Sequence, residues 1–116
     1  MRVDTTVFER ATVLANKSTM LHRHGAVIVW EGQIIGEGYN YHTDFMCHQW
    51  SVHSEVAALM SLKKQHRHKK VLENATMVVV RLGPPSCPEE LKNSKPCDRC
   101  RQAILKAGIK RVFYSC

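Results

Sequence analysis

The sequence predicts an α/β fold, a three-layer sandwich in which a mixed central sheet combines an antiparallel hairpin with βαβ crossovers and carries helices on both faces. Three observations predict it. Apolar residues recur at helical spacing near the N-terminus, two β-rich runs follow with only two residues between them, and an apolar run at 75–82 stands between two further helical patterns.

The first helix is expected from Asp4 to about Lys17, where Val7, Phe8, Ala11, Leu14 and Ala15 share one face and Thr6 with Glu9 has the form of a capping box. "GAVIVW" (Gly25 to Trp30) and "QIIGEGYN" (Gln33 to Asn40) read as antiparallel strands joined at Glu31 and Gly32, although glutamate is not the usual first turn residue. "YHTDFMCHQWS" reads as a connection. It leads to a second helix in "VHSEVAALMSLKK", capped on Ser51 and beginning next to His53. "ATMVVVRL" has the composition of a strand buried on both faces. After the loop "GPPSCPEELKNSK", Pro96 suits the first turn of a third helix, about Cys97 to Ala107, and Gly108 suits its stop. "IKRVFYSC" closes the chain as a strand.

A length of 116 residues with 44% hydrophobic content supports one packed domain over residues 1–116 and leaves no room for two cores. The charged start "MRVDTTVFER" offers no apolar leader, and no run approaches a membrane span, so a soluble, cytoplasmic protein without membrane partners is expected. Five cysteines, an odd number, fit reduced thiols and metal ligands better than a disulfide framework. The net charge is +7, and "KKQHRHKK" (Lys63 to Lys70) holds much of the excess. Such a block meets the phosphates of a nucleotide or nucleic acid, or simply complements a solvated helix end.

Chemistry concentrates at two helix starts. His53 on the second helix and Cys97 with Cys100 on the third should converge at the sheet edge where α/β folds bind ligands. One imidazole and two thiolates suit Zn2+, and three protein ligands leave a fourth tetrahedral position open, whereas structural zinc normally takes four. Glu55, two residues from His53, is the carboxylate available for proton exchange, although positions two apart on a helix do not share a face.

"HSE" (His53, Ser54, Glu55) followed by "PCDRC" (Pro96 to Cys100) is the H-x-E…P-C-x-x-C signature of zinc-dependent nucleobase deaminases. Over roughly residues 20 to 115 the chain resembles the cytidine and deoxycytidylate deaminase superfamily. The resemblance extends to "GAVIV", "GEGYN" and "ILKAGIKRVFY", which are similar to that family's first two strands and to its third helix with the strand after it. It implies zinc held by His53, Cys97 and Cys100, Glu55 as proton shuttle, and hydrolytic removal of the C4 amine of cytosine. Asn40 matches a position that contacts the substrate's sugar, and Ala26, Ser54 and Pro96 complete the expected substrate-binding set. The implied substrate is a free nucleotide or nucleoside, with dCMP to dUMP foremost.

Departures from the family pattern shape the alternatives. Ser54 stands where alanine is usual, Lys95 replaces a common apolar residue, and the chain ends on its fourth predicted strand, a shortened C-terminus that favours a homo-oligomer. The basic block and Trp50 raise a second possibility, deamination of cytosine or adenine in single-stranded DNA or RNA. A third is a noncatalytic zinc module closed by Cys87, Cys47, His48 or Cys116. "MCHQW" could line the pocket or pack as loop, and His22 and His24 could meet a phosphate or sugar or lie on the surface.

Overall fold

The computed structural model describes residues 5–20, 22–45, 48–83, 91–92 and 97–115, with the backbone alone at 43–45, 48–50, 91 and 92. In chain order the elements are α1 (Thr5–Lys17), β1 (Arg23–Trp30), β2 (Gln33–Tyr39), β3 (Tyr41–Phe45), β4 (His48–Val52), α2 (Ser54–Met60), a 3-10 turn (Lys64–His66), α3 (Lys69–Glu73), β5 (Thr76–Leu82), β6 (Leu91–Lys92), α4 (Asp98–Ala107) and β7 (Arg111–Tyr114).

The hairpin β1–β2 turns at Glu31 (φ 50°) and Gly32 (φ 76°). Two positive φ values in succession are what a two-residue type I′ connection requires, and glutamate takes the first of them. β1 also pairs antiparallel with β5, from Arg23 opposite Leu82 to Val29 opposite Thr76. On the far edge of β5, β7 runs parallel beside Thr76–Val79, and the short β6 runs antiparallel beside Arg81 and Leu82. The sheet is therefore mixed, and β5–α4–β7 is its parallel crossover.

Strand alternation sorts the core into two layers. Val27, Val29, Val78, Val80 and Leu82 pack with Val7, Ala11, Leu14 and Ala15 of α1. Ala26, Ile28, Met77 and Val79 face the other way, against Ala58 of α2, Leu72 of α3 and Ile104 of α4. Two glycines let helices sit directly on strand backbone: a Cβ on Gly25 would lie 2.1 Å from Ala11 O, and one on Gly38 would lie 2.4 Å from Ala58 N. α4 ends as its sequence predicts. Gly108 (φ 104°) takes the left-handed position, with Gly108 N–H donating to Leu105 O and Ile109 N–H to Ile104 O.

Four local expectations are corrected. "YHTDFMCHQWS" is not a plain connection but the core of a second hairpin, β3–β4, paired from Tyr41 opposite Val52 to Phe45 opposite His48. Ser51 consequently lies in β4 and caps nothing, and His53 occupies the N-cap of α2. Thr6 is already helical, so the capping box is displaced from the start of α1. The second helix stops at Met60, and the basic block after it forms a 3-10 turn and the first residues of α3. The guanidinium of Arg67 donates to Leu62 O (2.9 Å) and Met60 O (3.0 Å), so this cation closes the end of α2.

Candidate active site

The C-terminal ends of β2 and β5 and the start of β1 share one edge of the sheet, as the registers Gly25 with Tyr39 and Arg23 with Leu82 require. α2 and α4 both begin there. His53 and Cys97 are the N-cap residues of the two helices, with extended backbones (ψ 151° and 165°), and Cys100 falls in the first turn of α4. Their donor atoms meet: His53 Nδ1 lies 3.1 Å from Cys100 Sγ and 3.5 Å from Cys97 Sγ. All three lie within 4.8 Å of one another.

Glu55 and Ser54 are buried beside this group, Ser54 completely. The Ser54 hydroxyl donates to Glu55 Oε1 at 2.7 Å. Glu55 therefore enters the site from the helix turn that presents His53, although the two residues stand only two apart.

A cavity of about 330 Å³ opens onto the group, lined by Met20, His22, His24, Asn40, His53 to Glu55, Arg81 and Cys97. That size suits a small ligand. Asn40 lies on its wall, but its amide is engaged: Oδ1 accepts from His24 N–H (2.8 Å) and Nδ2 donates to His22 O (2.5 Å). Ala26 is fully buried in the core and is not among the lining residues. Pro96, Lys95, Cys47, Cys87 and Cys116 lie outside the described residues, as do the side chains of His48 and Trp50. None of Lys63 to Lys70 lines the cavity. Arg81, which does, went unrecognised in the sequence reading; its signal was a single cation inside an otherwise apolar strand.

Electrostatics bear on how the thiols bind metal. Burial pushes the Cys100 thiol well above the ordinary cysteine range, and the charge of Glu55 and contact with Cys97 add to the effect. A divalent cation reverses that balance by taking the thiolate. His53, Cys97 and Cys100 fit zinc: one ring nitrogen and two sulfurs converge, the helix start of α4 favours thiolate, and the group holds three donors among the described residues.

The sequence profile of the cytidine and deoxycytidylate deaminase zinc-binding region matches residues 1–116. The chain belongs to the cytidine and deoxycytidylate deaminase family. This deaminase is accordingly a zinc-dependent hydrolase, with His53, Cys97 and Cys100 as the group able to bind the metal.

Solved structures share the deaminase's fold. The dCMP deaminase of cyanophage S-TIM5 in apo form is 20% identical, with a TM-score of 0.59 over 97% of this chain and 84% of that one. Its complex with dCMP and dUMP gives 17% and 0.60 over 97% and 83%. The cytidine deaminase of Burkholderia pseudomallei is 19% identical, with a TM-score of 0.66 over 92% and 78%. The diaminohydroxyphosphoribosylaminopyrimidine deaminase/5-amino-6-(5-phosphoribosylamino)uracil reductase of Thermotoga maritima is 27% identical, with a TM-score of 0.61 over 94% of this chain and only 28% of its own. No curated protein sequence matches the chain. Among the described residues, no helix is long and apolar enough to cross a membrane.

Proposed function

We propose that the deaminase hydrolyses the C4 amine of cytosine in a free nucleoside or nucleotide, with dCMP to dUMP as the foremost conversion. The observation that carries this reading is the meeting of His53 Nδ1 and two cysteine sulfurs at the wall of a cavity that His53, Cys97 and the buried carboxylate of Glu55 line. The cyanophage dCMP deaminase bound to dCMP and dUMP supports the choice of nucleotide.

When bound, zinc supplies the Lewis acidity that makes water a nucleophile near neutral pH. Glu55 does the proton work. Its carboxylate takes a proton from the attacking water and delivers it to ring N3 as the C4–O bond forms. It then takes the second proton from the hydroxyl now on C4 and gives it to the amine, so that C=O forms as C–N breaks and one water enters for each ammonia that leaves. Ser54 holds Oε1 of that carboxylate in place. Because substrate and product are planar at C4 while the transition state is not, the cavity must favour the tetrahedral carbon.

The test is ammonia release by the zinc-loaded protein from cytidine, deoxycytidine, CMP, dCMP, adenosine and guanine compounds, beside a cytosine-bearing single strand. Turnover of a free cytosine compound, abolished by Glu55→Ala with zinc still bound, is the expected result. Bound zinc with no turnover across the panel would overturn the reading.

A further inference from the structure

Among the residues that line the cavity stands an arginine with unspent bonding capacity. Arg81 and His24 face each other across β5 and β1. The neighbouring Arg23 has its guanidinium satisfied by Gly83 O (2.8 and 3.3 Å) and Asn16 Oδ1 (3.1 Å). Arg81 differs: Nη2 meets His22 Nδ1 at 2.6 Å, while Nε is buried without a hydrogen-bond partner among the described residues. Since arginine stays protonated, His22 Nδ1 is the acceptor in that contact and helps fix the guanidinium plane.

No carboxylate among the described residues pairs with Arg81; the ion pairs there are Arg10 with Glu37 and Lys69 with Glu73. Glu55 is the cavity's carboxylate, and it is engaged by Ser54. His24 adds a wall without a second full charge, because burial lowers its pKa. The support beneath is built in series: the buried Asn40 amide holds the backbone of His22 and His24, and the His22 ring holds Arg81. A buried donor with no acceptor is costly, and an anionic oxygen is the partner that would satisfy a guanidinium best.

We infer that Arg81, oriented by His22, forms an anion subsite that takes the 5′-phosphate monoester of the substrate. This deepens the proposed function and rests on it, because it assigns one end of the same cavity to the phosphate and leaves the other to the base. A monoester is favoured over the phosphodiester of a strand because the cavity has the volume of a single small ligand and the basic run Lys63 to Lys70 does not extend the subsite along a path.

Calorimetry on the zinc-loaded full chain tests it with product-like probes that need no turnover. The expected result is dUMP binding about 10- to 100-fold tighter than deoxyuridine, with inorganic phosphate competing against dUMP but not against deoxyuridine. Arg81→Met should bring the two affinities within about 3-fold of each other, Arg81→Lys should leave an intermediate ratio, and His22→Ala should reduce the ratio. Equal affinities in the unaltered protein, or an undiminished ratio in a folded Arg81→Met, would overturn the subsite. The phosphate competition decides the matter even where that variant fails to fold. A cytosine dinucleotide that binds more tightly than dUMP, and loses that advantage in Arg81→Met, would overturn the monoester in favour of a strand. Failure of the deaminase reading is separate, since it appears as absent ammonia release whatever the binding ratio.

Discussion

The Ser54 hydroxyl donates to Glu55 Oε1 at 2.7 Å, between two side chains that are almost wholly removed from solvent. Serine supplies a donor that alanine at this position would lack. It fixes the carboxylate that would otherwise choose among rotamers. Ser54→Ala is expected to lower kcat about 3- to 10-fold with zinc content unchanged, the scale of one hydrogen bond. Glu55→Gln should lower it at least about 100-fold, as the loss of a proton carrier requires. Steady-state kinetics beside metal analysis distinguishes the two roles.

Metal binding should be linked to pH. Burial holds Cys100 as a neutral thiol in the metal-free chain, so binding must release its proton. Apparent zinc affinity should therefore rise with pH, by about 10-fold or more per unit near neutrality. Competition against a chromogenic chelator at pH 6.5 and 7.5 measures it, and a flat response would contradict the burial of Cys100. Cys100→Ser and His53→Ala should each leave the protein without stoichiometric zinc.

His24 gives a second pH dependence. Burial lowers its pKa, assisted by the charges of Arg81 and His53 and opposed by Glu55 and the contact with His22 O. Its folded value lies below the unfolded value of about 6.5, so the unfolded chain binds the extra proton first. The stability contributed is complete above about pH 6.5 and is lost as pH falls toward the folded value. Urea midpoints between pH 7.5 and 5 should drop less in His24→Gln than in the unaltered protein.

Gly38→Ala is expected to destabilise the fold by about 1–3 kcal/mol, because the new methyl would meet the backbone of α2. Denaturant unfolding gives the cost. A parallel fall in zinc affinity is expected, since His53 caps the displaced helix.

What the sequence made legible followed from local rules. The Glu31–Gly32 turn, the apolar β5 and the Gly108 stop of α4 each rest on a few adjacent residues, and His53, Cys97 and Cys100 rest on a spaced motif. The β3–β4 hairpin escaped because its connection, Met46 and Cys47, carries no glycine, asparagine or aspartate to mark a turn. Helical composition after Val52 likewise hid the stop at Met60, where Ser61 Oγ turns back to Ala58 O. Arg81 was opaque for another reason: it acquires its meaning from a partner in space, His22 across 59 positions, whereas Ser54, expected to meet substrate, bonds the carboxylate of its own neighbour Glu55.

The bare backbone of β2 beneath α2 has an evolutionary corollary. With Gly36 and Gly38 leaving less than 3 Å to the helix for any added carbon, the elevation of His53 and Glu55 above the sheet is dictated by main chain touching main chain. Side-chain drift in that layer has almost no freedom to retune the reaction centre. New substrate preferences in descendants of this chain should therefore arise by replacements at the cavity mouth, His22 and Arg81 foremost, while the floor of the site stays the same.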